Sequence, residues 1–284
     1  MSQVGLVLEG GGLRGVYTSG ALDAFLDEKI KIPYVIGVSA GVCNAVSYLS
    51  NQKGRSAAIN IEHCNDPEYY GLKNLITKGS IFSEDMLFRK MPEELYPFDY
   101  DAYENSGIQL FAGVTDCVKG APAYYMLDGL KGKMDIVKAS SWLPYVSPMV
   151  EYDGKKFLDG GISDPIPIKK SMQDGNDRNV IILTQPKGYQ KQPSKAALLA
   201  KLKYRRYPKL VALLAARHQL YNDTLAYIDR LETDGQAIVL RPSESLGLSR
   251  LEKDAEKLKA AYRLGYADAM AKAEAIKKMM HAES

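Results

Sequence analysis

Ser39 stands in Gly37-Val38-Ser39-Ala40-Gly41, the G-x-S-x-G spacing that, on a strand-to-helix turn, lifts a serine hydroxyl clear of a sheet as a nucleophile. Upstream lies a second glycine cluster, Gly10-Gly11-Gly12-Leu13-Arg14-Gly15. Amides without side chains, placed at the head of a helix, can converge on one point and hold a developing oxyanion. The same glycines also satisfy G-x-G-x-x-G, the dinucleotide-binding spacing, and a third reading makes them only a tight turn. Dinucleotide binding expects an acid at the end of the second strand to hold a ribose hydroxyl. Here that strand ends in Gly37, Val38 and Ser39, and Asp23, Asp27 and Glu28 all precede it. Hydrolysis through a serine nucleophile therefore accounts for more of the pattern than nicotinamide chemistry.

A serine nucleophile needs a base within hydrogen-bond reach. The three histidines, His63, His218 and His281, fall in a polar stretch, a basic helix and the chain terminus, and none makes a good triad partner. A carboxylate can take the role instead. Asp153-Gly154 is accounted for by a hairpin turn and Asp128-Gly129 also resembles a turn. Asp159 ends a strand and is followed by Gly160-Gly161, which would let the backbone approach the nucleophile closely.

Positioning these groups requires strands that end where the chemistry begins. Val4 to Leu8 reads as a buried strand entering the glycine loop, Val16 to Leu26 as a helix, Ile32 to Val38 as a second strand and Val42 to Leu49 as the helix after the elbow. Ile108 to Val114, Tyr124 to Leu127 and Val180 to Leu183 read as further strands. Met149 to Leu158 reads as a hairpin turning at Asp153-Gly154, a dipeptide suited to a type I′ turn. After Pro193 the chain becomes helical, with a strand at Ala237 to Leu240. A long last helix follows, capped by Ser249 and Glu252, with Leu251, Ala255, Leu258, Tyr262, Met270, Ala273 and Ile276 mostly returning to one face.

With 284 residues and 46% hydrophobic side chains the chain can bury a large core, and a net charge of only +3 argues against a general nucleic-acid binder. Cys43, Cys64 and Cys117 are too few and scattered for a disulfide framework or a zinc site, so a reducing compartment is expected. Neither a signal peptide nor an apolar membrane span is evident, and a cytoplasmic protein is expected.

Together, Gly10-Gly11-Gly12-Leu13-Arg14-Gly15, Gly37-Val38-Ser39-Ala40-Gly41, Asp159-Gly160-Gly161 and the intervening Ala139-Ser140-Ser141-Trp142-Leu143-Pro144 resemble the patatin-like phospholipases in motif and order. The resemblance covers roughly residues 4 to 185. It implies an α/β protein with a three-layer α/β/α fold related to cytosolic phospholipase A2, and hydrolysis of fatty-acyl esters by a Ser-Asp dyad. Position by position, it makes Ser39 the nucleophile, Asp159 the general base and Gly10, Gly11 and Gly12 the oxyanion hole. Arg14 would fix the loop, neutralise an anionic substrate or form a structural ion pair. The scheme needs no cofactor and no metal. A single domain over 1–284 is expected, with the motifs in 1–186 and a mainly helical basic region in 187–284.

Between Asp177 and Asp223 there is no acidic residue, while Lys187, Lys191, Lys195, Lys201, Lys203, Arg205, Arg206, Lys209 and Arg217 accumulate among leucines and tyrosines. This 195–217 stretch reads either as a helix for an anionic membrane surface or as the exposed face of a helix packed on the core. The expected function is a lipid or lysolipid acyl-ester hydrolase. A regulatory or scaffold protein that kept the fold is the alternative from another class.

Overall fold

The computed structural model describes residues 4–130 and 133–281. Among them, eight strands form one sheet: β1 (Val4–Leu8), β2 (Tyr34–Val38), β3 (Gln109–Asp116), β4 (Ala121–Met126), β5 (Val150–Tyr152), β6 (Lys155–Asp159), β7 (Arg178–Ile182) and β8 (Ala237–Leu240). The order is β5-β6-β3-β2-β1-β7-β8, with β4 also paired to β3. The centre, β3-β2-β1-β7-β8, is parallel, and β4, β5 and β6 add antiparallel pairs at one end.

Among the described residues ten α-helices accompany the sheet: α1 (Val16–Asp27), α2 (Ala40–Leu49), α3 (Arg55–Glu62), α4 (Leu72–Lys78), α5 (Tyr100–Glu104), α6 (Met134–Ser141), α7 (Ile168–Gln173), α8 (Ala197–Lys203), α9 (Pro208–Thr233) and α10 (Ala255–His281). The sheet is covered on both faces, which is why β1 and β2 are buried along their whole length rather than alternating with solvent. Leu6 and Leu8 pack with Tyr17 and Phe25 of α1, Val42 of α2, and Ala269 and Ile276 of α10. Val7, pointing the other way, packs with Ile168 of α7 and Ile228 and Leu231 of α9. The result is a helix-sheet-helix arrangement, with α10 closing over α1. Tyr17 Oη donates to Asp268 Oδ2 at 2.9 Å and Tyr262 Oη to Asp23 Oδ2 at 2.8 Å across that contact.

The hairpin turns at Asp153 (φ 50°) and Gly154 (φ 66°), as a type I′ turn demands. The last helix departs from expectation. Glu252 does accept from the Ser249 amide at 3.1 Å, but this closes a turn ahead of the helix. Asp254 supplies the cap instead, its Oδ1 accepting from the Glu256 and Lys257 amides at 3.0 and 3.2 Å. Met270 is also on the wrong side of the expected face. It is exposed, while the smaller Ala261, Gly265 and Ala269 are buried, because α10 lies close against α1.

The basic stretch is partly packed on the core and partly exposed. Tyr204, Leu210 and Leu214 are buried with Leu158 and Ile162. Leu198 and Leu202 of α8 remain 71% and 68% exposed, beside Lys201 and Lys203.

Candidate active site

One edge of β3 serves two strands in succession. β2 runs parallel along it as far as Val38, opposite Gly113; β6 runs the other way and ends with Asp159 opposite Val114. β4 occupies the opposite edge over Phe111–Asp116, so β2 and β6 share a lane and meet head to head. The residue that follows β2 is Ser39, and the last residue of β6 is Asp159. Their encounter is thus a property of strand register, and Ser39 Oγ donates to Asp159 Oδ2 at 2.9 Å.

Ser39 makes the turn from β2 into α2 with φ 56° and ψ −125°, a conformation that costs a side-chain-bearing residue about 1–3 kcal/mol. Its amide donates to Ser140 Oγ at 2.9 Å, and Ser140 Oγ donates to the Gly113 carbonyl at 2.7 Å. Ser140 therefore ties the strained turn to β3. Asp159 is fixed at both carboxylate oxygens, since Oδ1 accepts from the Gly161 amide at 2.6 Å. Its carbonyl accepts from Thr115 Oγ1 at 2.8 Å and its amide donates to the Trp142 carbonyl at 3.0 Å. The close approach requires glycine at 160, where a Cβ would run into the Gly113 carbonyl. Burial pushes the Asp159 carboxyl above its ordinary 3.8, with the Arg217 charge the largest opposing influence. A carboxylate that holds a proton more readily than usual suits a proton acceptor.

The glycine loop lies against this pair. Gly10 donates its amide to the Pro165 carbonyl at 3.4 Å. Gly12 has φ +59°, and a Cβ there would sit 2.7 Å from the Arg250 carbonyl, which also accepts from the Leu13 amide at 3.1 Å. The segment before α10 thus clamps the loop. Arg14 forms none of its envisaged structural ion pairs among the described residues, and its buried Nε has no hydrogen-bond partner. Burial, reinforced by the neighbouring Arg250 charge, lowers its pKa.

An apolar cavity of about 160 Å³ opens beside Ser39. Val46, Ile59, Phe82, Phe88, Met91 and Trp142 supply much of its wall, and Leu87 and Met91 belong to a π-helix over Met86–Leu95 that contains Pro92. The three histidines lie elsewhere: His63 pairs with Asp66 at 3.0 Å, His218 approaches the Ala215 carbonyl and His281 is at the exposed end of α10.

A family model described as patatin-like phospholipase matches residues 6–170, more than half of the chain. The chain belongs to the patatin-like phospholipase family. A second model, a domain of unknown function called DUF6363, matches residues 207–281. Among curated relatives, the uncharacterized protein YjjU of Escherichia coli strain K12 is 29% identical over 65% of this chain and 52% of its own length. The probable lipid hydrolase 463L of Invertebrate iridescent virus 6 is 25% identical over 61% of this chain and 65% of its own. The matches thus span between half and two thirds of these relatives. In structure, VipD from Legionella pneumophila superposes with a TM-score of 0.50 at 15% identity, covering 97% of this chain and 67% of that one, a likeness of fold. No helix among the described residues is long and apolar enough to cross a membrane.

The patatin-like core brings together Ser39, Asp159, the glycine loop and Arg14, as their motifs led us to expect. Several neighbours carried no readable signal. Ser140 lay within a family-like segment but without a role. Arg217, grouped in sequence with the surface charges of 195–217, instead turns inward from α9 and donates through Nε to the Gly161 carbonyl at 2.6 Å. Lys191, part of the same basic run in sequence, likewise lies beside the site, and Arg250 comes from outside every motif.

Proposed function

We propose that this patatin-like protein is a serine acyl-ester hydrolase acting on lipids or lysolipids, with Ser39 as nucleophile and Asp159 as general base. The observation that carries the reading is the 2.9 Å contact between Ser39 Oγ and Asp159 Oδ2 at the mouth of an apolar cavity. Asp159 accepts the serine proton as Ser39 Oγ attacks the acyl carbonyl. The carbonyl oxygen becomes an oxyanion facing the amides of Gly11 and Gly12, the Gly10 amide being turned to the Pro165 carbonyl, and each aligned donor contributes about 3 kcal/mol to the transition state. The proton on Asp159 passes to the departing alkoxide. Water, deprotonated in turn by Asp159, then attacks the acyl-serine and releases the fatty acid. The apolar cavity fits the acyl chain, because each buried methylene contributes about 0.8 kcal/mol.

Access to lipid aggregates is assigned to α8. Its exposed Leu198, Leu199 and Leu202 stand among Lys201 and Lys203, with Arg205 and Arg206 just beyond. Leucines that enter the interface and cations that meet anionic headgroups form the pattern of a peripheral contact.

The dyad is tested by the hydrolysis of p-nitrophenyl hexanoate by wild type, Ser39→Ala and Asp159→Asn, each checked for fold by circular dichroism. Both folded variants should lose nearly all turnover. A folded Ser39→Ala protein with substantial turnover would overturn the proposal.

A further inference from the structure

Four cationic side chains crowd the side of the dyad reached by residues 191–250. Arg14 comes from the glycine loop, Lys191 from the segment after β7, Arg217 from α9 and Arg250 from the turn before α10. They are close enough to influence one another's ionisation, since Arg250 and Arg14 both act on Arg217, and all three act on Lys191. All four are half-buried, and among the described residues none forms an ion pair. Two carboxylates are nearby, Asp159 acting on Arg217 and Glu9 on Arg14 and Lys191, so the four cations face two counter-charges. Asp159 accepts from Ser39 and Gly161. Glu9, almost wholly buried, accepts from Tyr221 Oη at 2.7 Å and from the Thr184 amide at 2.5 Å.

Withdrawing four cations from water against only two carboxylates is unfavourable, and such an excess of positive charge persists where a ligand supplies the missing charge. The buried Arg14 Nε, a donor without an acceptor, is an independent sign of that missing partner. None of the four residues lines the apolar cavity, so the two flanks of Ser39 differ in chemistry. We propose that Arg14, Lys191, Arg217 and Arg250 form an anion subsite that makes the enzyme select acyl esters bearing a net-negative phosphate over zwitterionic and neutral esters. This inference rests on the serine-hydrolase reading. The acyl chain occupies the cavity on one flank while the phosphate meets planar guanidinium forks and an ammonium on the other.

Lys191 supplies a further mark of the subsite. Its Nζ stands 4.3 Å from the centre of the Tyr221 ring, and burial together with the Arg217 and Arg250 charges brings its pKa down to about 7. Glu9 opposes that shift and Arg14 adds to it. A bound phosphate favours the protonated lysine, so anion binding weakens as pH rises through neutrality.

The test uses short-chain esters in monomeric solution: dihexanoyl phosphatidate, dihexanoyl phosphatidylcholine and dihexanoylglycerol. In wild type, kcat/KM for phosphatidate should exceed that for phosphatidylcholine by about tenfold or more, a charge-assisted contact's worth of discrimination. Lys191→Gln and Arg250→Gln should remove most of that ratio, chiefly through KM, and Lys191→Arg should restore it. A wild-type ratio near one, or a ratio unchanged in both glutamine variants, overturns the subsite. A readout free of turnover comes from calorimetric titration of Ser39→Ala with dihexanoyl phosphatidate and, separately, inorganic phosphate. Saturable phosphatidate binding is expected, and between pH 6 and pH 8.5 it should weaken relative to the same protein carrying Lys191→Arg, a comparison that cancels the titration of the phosphate itself. Lipid binding without inorganic phosphate binding assigns the headgroup as the source, and binding of both adds free phosphate as a competitor. Binding of neither overturns the proposal, even if glutamine variants fail to fold. Wild type that binds phosphatidate but hydrolyses no ester would remove the hydrolase reading and leave the subsite standing; ester hydrolysis without headgroup preference would do the reverse.

Discussion

The two flanks of Ser39 are built by different parts of the chain and on different physical principles. Residues between Gly12 and Leu143 enclose an apolar cavity on one side, including a wall of π-helix over Met86–Leu95. On the other side, Lys191, Arg217 and Arg250 approach Arg14 and Gly161 from the C-terminal third. The walls of the cavity contribute apolar burial, but its unfilled space forfeits packing. Four half-buried cations facing two carboxylates leave an excess of positive charge that opposes folding. Under the proposed subsite the two flanks divide the work of recognition: many chains fit an apolar cavity, whereas the cationic flank selects by headgroup charge.

The comparison fails altogether if its shared point does nothing. Ser39→Ala should reduce ester turnover by at least about 10⁴-fold and Asp159→Asn by a comparable factor, read as kcat on p-nitrophenyl hexanoate. Alanine at His63, His218 or His281 should retain activity, since each lies outside the site. Loss of nearly all turnover in one folded histidine variant would replace the dyad with a triad.

A smaller effect is expected where the two flanks touch. Gly12 has positive φ and faces the Arg250 carbonyl. Gly12→Val should misaim the loop amides and lower kcat by roughly 10² to 10³, with a smaller change in KM. Steady-state kinetics on a soluble ester measures both constants, and a near wild-type kcat in a folded variant would reduce the glycines to turn-makers.

Lipid access should be separable from both flanks. Replacing Lys201, Lys203, Arg205 and Arg206 together by glutamine should weaken sedimentation with phosphatidylglycerol vesicles by about tenfold or more, because each cation near an anionic surface contributes roughly 1 kcal/mol. Turnover of a monomeric ester should change little. Equal vesicle binding by the two proteins would leave α8 a merely exposed helix.

A pH profile sharpens the contrast further. Asp159 must be ionised to accept a proton, and burial raises its pKa above 3.8, so kcat/KM should fall on acidification through a value higher than that of an ordinary aspartate. Arg217→Gln removes the main charge opposing the shift and should move this acid limb upward. A limb that stays in place would show that Arg217 does not act on the base. The smallest effect concerns stability. Ser39→Gly should be more stable than Ser39→Ala by about 1 kcal/mol in chemical denaturation, since glycine accepts φ 56° without a Cβ. Equal stability would mean that the elbow carries no strain.

Legibility in the sequence followed the same division. The strands around β1 and β2 are short apolar runs ended by glycine motifs, so their order and the positions of Ser39 and Asp159 could be read locally. Their meeting could not, because it depends on β2 and β6 sharing one edge of β3, a long-range register. The cap of α10 was misplaced because Ser249 and Glu252 satisfy capping spacing in a turn that stops short of the helix. Met270 was assigned inward because its apolarity suits a core, whereas the closeness of α1 and α10 favours alanine and glycine there. Arg217 illustrates the limit most clearly. In sequence it is one of many surface-like cations, and only the docking of α9 turns it toward Gly161.

The central claim, that Ser39 is a nucleophile activated by Asp159, is tested most directly by reacting the folded protein with a fluorescent fluorophosphonate and mapping the labelled peptide by mass spectrometry. One covalent adduct on Ser39 is predicted, absent in Ser39→Ala and strongly slowed in Asp159→Asn. No adduct on the folded wild type, or an adduct on another residue that persists in Ser39→Ala, would contradict it.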